Sequence, residues 1–157
     1  MSKLVESLRA AIERCDPKSG MTISFHHHLR NGDYVLNMVM EEIARMGLSD
    51  ITINASSILD VHDPLVDYMR RGIVTGLECA YMSGLVAHAV TEGLLTSPAV
   101  FFTHGGRVAA LQNKLNHIDI AFIAASASDE AGNCTGRLGK SRFGSTSETH
   151  LQQRVFP

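Results

Sequence analysis

"GMTISFHHHLRNGDYVLNMVMEEIARMGLSDITINA", Gly20 to Ala55, decides the fold. It opens with a short run, Met21 to Phe25, that reads as a β-strand. After it Asp33 is placed to cap a helix with the apolar stripe Leu36, Val39, Met40 and Ile43 and with Gly47 past its end. A second strand, Asp50 to Ala55, follows. Strand, loop, helix and strand in this order make the unit from which parallel sheets are built.

The unit recurs along the chain. "SSILDVH" precedes a short helix announced by Asp63-Pro64, with Pro64 at the first helical position and Gly72 beyond the last. Ile73 to Cys79 is a strand interrupted by Gly76, and Ser83 then opens a helix carrying Leu85, Val86, Ala89 and Val90 as far as Gly93. Ala99 to Thr103 is the next strand. "HGGR" leads into a helix with Val108, Leu111 and Leu115, and Ile118 to Ala125 closes the series. Upstream, "MSKLVESLRAAIER" reads as an amphipathic helix with Leu4, Leu8, Ala11 and Ile12 on one face. Five apolar strands alternating with helices predict an α/β fold, an open, mainly parallel sheet with helices on both faces.

Composition bounds the function. The chain has 157 residues, enough for one domain that buries roughly 70% of its unfolded surface. Its 45% apolar and 19% charged residues, with no run near the ~20 apolar residues of a membrane span, predict a cytoplasmic globular protein without membrane partners. A signal peptide is not expected, since the amino terminus lacks an apolar core and a small-residue cleavage site. A net charge of −2 and a pI near 6.4 give no electrostatic case for nucleic acid. Cys15, Cys79 and Cys134 stand in no metal-finger or redox spacing and are expected to stay reduced.

Ligands of open α/β sheets bind beyond the carboxyl ends of the strands. Here those loops are "HHHLRNG", "SSILDVH", "AYMSG", "HGGR" and "SASDEAGN", and they hold His26, His27, His28, His62 and His104 together with Arg30 and Arg107. Such a concentration suits an anionic small molecule. Three successive histidines leaving a strand point alternately to opposite sides and cannot readily bind one metal ion, so no metal site is expected. "HGGR" has two readings: a tight turn needing positive φ, or a place where Gly105 and Gly106 let the backbone approach a ligand held by His104 and Arg107. Asp129-Glu130 reads as a solvated loop. Neither a GxGxxG nor a P-loop pattern is present, and no Ser or Cys stands in a nucleophile elbow.

The stretches Gly20 to Val66, "THGGR" and "HIDIAFIAASASDEAGNCTG" carry a resemblance. From about Lys3 to about Lys140 the chain resembles the amino-terminal half of the alpha chains of citrate lyase, members of the CoA-transferase family, and the triple-histidine loop and "DEAGN" are its specific marks. The resemblance implies a CoA-transferase-like domain over residues 1–140, followed by a divergent polar tail over 141–157. It also implies a citrate CoA-transferase reaction, in which acetyl on an acyl-carrier thioester is exchanged for citryl and acetate is released. On this view the oxyanion and thioester loop is formed by His26, His27, His28, Asn31 and Gly32. The substrate-binding residues are Arg30, His104, Gly105, Gly106, Arg107 and Asn133. No cofactor is bound tightly; the co-substrate is the acetyl-thioester of a CoA-like phosphoribosyl-dephospho-CoA arm on the carrier. The implied partners are citrate, the beta (lyase) and gamma (acyl carrier) subunits, and further copies in an oligomer. The family's glutamate nucleophile has no match here, since Glu78 and Glu130 lie near strand ends but outside its motif, so a chain inactive alone is expected. The alternative is a non-catalytic domain of the same fold that binds an acidic small molecule or the carrier arm.

Overall fold

In the computed structural model, which describes residues 3–26, 34–123, 125 and 127–135, each strand of the repeating unit is laid down beside the one before it. The strands β1 (Thr22–His26), β2 (Ile51–Ala55), β3 (Val74–Cys79), β4 (Val100–Phe101) and β5 (Ile120–Ile123) form one sheet in the order β4-β3-β2-β1-β5, every neighbouring pair parallel. The connecting helices are α2 (Val35–Arg45), α3 (Leu65–Arg70), α4 (Gly84–Thr91) and α5 (His104–Gln112), and α1 (Leu8–Arg14) precedes the sheet. A short antiparallel hairpin of β6 (Ala127–Ser128) and β7 (Cys134–Thr135) is tied to the amino-terminal segment by the Lys3 N–H, which donates to the Glu130 carbonyl at 2.8 Å.

Chain order dictates which face each helix covers. From β1 to β4 the strands step in one direction, so right-handed crossovers put α2, α3 and α4 on the same face. The return from β4 to β5, on the far side of β1, puts α5 on the other. Register then sorts the side chains, because alternate residues of a strand point to opposite faces. Ile23, Ile53 and Leu77 are in register, and with Phe25 and Ile120 they join Ile12, Leu36, Met40, Ile43, Leu65 and Val86 in one buried cluster. The opposite face carries Thr22, Thr52 and Gly76 in one row and Ser24, Asn54 and Glu78 in the next. One face is therefore an apolar core shared with α1 to α4. The other is polar and meets α5.

The expected sheet and its helices are present, with local differences. The helix at the amino terminus starts at Leu8, where the Ser7 side chain accepts from the Ala10 N–H, so Leu4 lies outside it and is exposed. At α2 the cap position falls on Tyr34, which makes no side-chain cap bond; Asp33 lies outside the described residues. All four residues of the expected stripe on that helix are buried. β4 is an edge of two residues, both exposed. Leu85 and Leu115 face solvent rather than the core, and Leu115 lies beyond the end of α5.

Gly76 does not break its strand. A Cβ there would lie 2.6 Å from Thr52 Oγ1 and 3.2 Å from Thr52 Cγ2, because a bulge between Ile51 and Thr52 sets the two residues side by side on the polar face. Gly76→Ala is therefore expected to cost about 1–3 kcal/mol of stability by overpacking. Adding Thr52→Ala, which removes the two nearest atoms, Oγ1 and Cγ2, and keeps the neighbour's Cβ at 3.4 Å, should recover most of that loss in urea unfolding. Additive losses would show that glycine is needed for backbone shape rather than for space.

Candidate functional site

Strand order reverses at β1, whose neighbours are β2 and β5, and such switch points open a crevice at the carboxyl ends of the strands. The cleft found there is lined by His26 at the end of β1, Ser57 after β2 and Phe122 from β5, with Leu36 and His62 behind them. Phe122 stacks on Phe25 with ring centroids 5.6 Å apart and planes 12° from parallel, which stiffens the wall between β1 and β5. His62 is buried in a single 3₁₀ turn, Asp60–His62, and its Nδ1 accepts from the Leu59 N–H at 3.0 Å. That bond leaves Nε2 as the nitrogen bearing the proton in the neutral ring.

On the polar face of the sheet, which meets α5, a network is built on one register row. Ser24, Asn54 and Glu78 stand opposite one another on β1, β2 and β3, and Arg107 reaches them from the first turn of α5. The Arg107 guanidinium donates from Nε to Asn54 Oδ1 at 2.8 Å and from Nη2 to Ser24 Oγ at 2.9 Å, with Nη2 also bonded to Asn54 Oδ1. Asn54 in turn donates from Nδ2 to Glu78 Oε2 at 2.6 Å, and Asn116 Nδ2 donates to the same oxygen at 3.1 Å. Arg107 is 3% exposed. Burial pushes its guanidinium down to about 10, against the opposing pull of Glu78, yet it remains charged at neutral pH.

The residues singled out from the sequence separate into three groups. His26 lines the cleft; His27, His28, Arg30, Asn31 and Gly32 lie outside the described residues. "HGGR" is neither a tight turn nor a loop, because His104, Gly105, Gly106 and Arg107 form the first turn of α5, with neither glycine at positive φ. Thr103 caps that helix, its hydroxyl accepting from the Gly106 N–H at 2.9 Å. His104 and Gly105 are exposed, whereas Arg107 turns inward to the sheet. Asn133 closes the β6–β7 turn: its N–H and Nδ2 donate to the two oxygens of Asp129 at 2.9 and 2.8 Å, and these bonds hold the Asp129 carboxyl below its usual range.

Ser24, Asn54 and Asn116 were not singled out from the sequence, although a polar residue inside an apolar strand, as in "TISFH" and "ITINA", is the signal that marks the first two. Among the described residues no group of three or more His, Cys, Asp or Glu could hold a metal ion, and no helix is long and apolar enough to cross a membrane. The cysteines form no disulfide, and burial pushes the Cys79 thiol up to about 11, so it is protonated at neutral pH and no thiolate nucleophile.

Comparison with known proteins gives a consistent result. The family profile "Citrate lyase, alpha subunit (CitF)" matches residues 1–154. Citrate lyase alpha chains of Haemophilus influenzae and Escherichia coli are each 43% identical over 143 residues, 91% of this chain. A solved chain from Streptococcus mutans, described as the alpha subunit of citrate lyase in complex with citrate, superposes with a TM-score of 0.84 at 46% identity over 90% of this chain. The aligned region spans only 28 to 29% of the length of these relatives.

Arg107 and Asn54 should respond unequally to substitution. Asn54→Ala leaves a buried cation without its chief acceptor and is expected to cost about 3 kcal/mol, while Arg107→Met removes the charge and leaves only the neutral acceptors Asn54 Oδ1 and Ser24 Oγ without this donor, at about 1–2 kcal/mol. Urea unfolding of the two variants checks the order. Equal losses would mean that the guanidinium is solvated.

Proposed function

This chain belongs to the citrate lyase alpha-subunit family, and we propose from that premise that it forms the citrate-recognition part of a citrate CoA-transferase site. The observation that carries this reading is the cleft at the β1/β5 switch point, entered by His26, in a chain 46% identical to one solved with citrate. Sequence places His27, His28, Arg30 and Asn31 directly after His26. Citrate bears three carboxylates, and a loop with an arginine and several imidazoles supplies charge and hydrogen-bond donors for them. His104 and Gly105, exposed at the amino terminus of α5, are a second source of donors at the same end of the sheet.

In the proposed reaction acetyl-carrier thioester and citrate give citryl-carrier thioester and acetate, the acyl exchange passing through a covalent enzyme carboxylate. The acetyl-thioester of a CoA-like arm on the gamma subunit is the co-substrate, and the beta subunit cleaves the citryl-thioester. Donors of the His26 loop stabilise the oxyanion that develops on the acyl carbonyl. The covalent carboxylate that such an exchange uses is assigned to the part of the family fold outside the region aligned here. Glu78 is engaged by Asn54 and Asn116, and Glu130 lies in the β6–β7 turn, where its carbonyl receives the Lys3 N–H.

Two measurements test this. Citrate at a hundredfold excess over its dissociation constant should stabilise the chain by about 2.7 kcal/mol, and Arg30→Ala should remove most of that gain. Melting that ignores millimolar citrate would refute a citrate site in these residues. Label exchange from acetyl-thioester to acetate in the presence of citrate should be absent with this chain alone and appear when the remainder of a relative's alpha chain is added. If the chain turns over alone, and Glu130→Gln abolishes turnover with the fold intact, the nucleophile is Glu130.

A further inference from the structure

We propose that Ser24, Asn54, Glu78, Asn116 and Arg107 are positioning residues: a relay beneath the loop face that fixes the first turn of α5 against the ends of β1, β2 and β3. Its consequence for citrate rests on the functional reading above. Its mechanical part does not.

Asn54 is the centre of the relay. Its amide oxygen faces a cation, Arg107, and its amide nitrogen faces a carboxylate, Glu78. Reversing the amide would set NH₂ against guanidinium and oxygen against carboxylate, so the two charges lock its orientation. Arg107 and Glu78 make no direct ion pair and are coupled through this one side chain. Asn116, which follows α5 in the chain, holds the same Glu78 oxygen, so both ends of the α5 segment are fastened to the sheet: Arg107 to β1 and β2, Asn116 to β3.

Placement argues for positioning over stability. Replacing buried ionic groups by apolar ones of similar volume is often neutral or stabilising, so a buried arginine is a poor device for stability alone. This one lies directly under the loops. His26 is two residues beyond Ser24, Ser56 and Ser57 follow Asn54 by two and three, Ala80 follows Glu78 by two, and His104 begins the helical turn that ends at Arg107. A shift of Arg107 would move His104 and Gly105 relative to the His26 cleft, and donors to an anionic ligand lose their effect with displacements of about 1 Å.

The test uses Glu78→Leu, Glu78→Gln and Asn116→Ala in the full chain. Leucine takes away the acceptor and frees the Asn54 amide to turn; glutamine keeps an oxygen able to accept from both Asn54 and Asn116 and so serves as the conservative rescue. In citrate-free protein, amide exchange at Gly106 and Arg107 should accelerate about tenfold in Glu78→Leu, while that at Met40 and Ile43 of α2 stays unchanged. Citrate affinity, measured by calorimetry well below every melting temperature, should weaken about tenfold in Glu78→Leu and stay within about twofold of wild type in Glu78→Gln. Should the leucine variant fail to fold, Asn116→Ala is expected to give the same pattern at about threefold. Unchanged α5 exchange, or acceleration spread equally over α2, overturns the proposal even if wild type binds citrate. Selective loosening of α5 in a protein that ignores citrate would uphold the relay and overturn the citrate reading instead.

Discussion

A cation from α5 buried against the polar face of two parallel strands is the constraint on which the rest of this structure turns. Arg107 can be held there only if Asn54 and Ser24 offer oxygens at the same height, and they do so because β1 and β2 pair with Ser24 opposite Asn54. A slip of one residue in that register would bring Phe25 or Ile23 to the guanidinium and leave it without an acceptor. The same slip would turn Ile23 out of the apolar row it shares with Ile53 and Leu77. Polar and apolar faces thus specify one register from two sides, and the position of α5 follows from it.

Much of this was legible before any coordinates. The stripe on α2 repeats at helical spacing, so its burial could be read from period alone, and the Pro64 and Gly72 signals bracket α3 because each acts on local backbone. What misled was tertiary. "HGGR" reads as a tight turn or as a place where the backbone approaches a ligand, but the Thr103 cap and the anchoring of Arg107 in the sheet make it helical despite a propensity cost of about 1 kcal/mol per glycine. Spacing puts Leu85 and Leu115 on apolar stripes, but α4 turns Val86 and Ala89 inward instead of Leu85, and α5 ends at Gln112, before Leu115.

The site was less legible than the fold for a definite reason. Histidines and arginines after strands are visible in one dimension, and they drew attention to His26 and Arg107. Whether such a side chain meets a ligand or the protein depends on direction, which a sequence shows only once register is known. Arg107 stands out in the sequence by its charge, and that charge is directed inward to Asn54 and Ser24. Asn54 is a polar residue in "ITINA", and nothing in one dimension shows that Arg107 and Glu78 are joined through it.

Taken together, the two faces divide the work of the domain. The apolar face, packed by α1 to α4, supplies most of the hydrophobic stabilisation and tolerates exchange among residues of similar volume. The polar face supplies little net stability, since hydrogen bonds there replace bonds to water and the buried charge must be desolvated. Its five polar groups lie close to the carboxyl ends of β1, β2 and β3, where they fix the height of the first turn of α5. A domain built this way can lose function through its polar row while keeping its core intact, and that separation is what lets positioning and stability be measured apart.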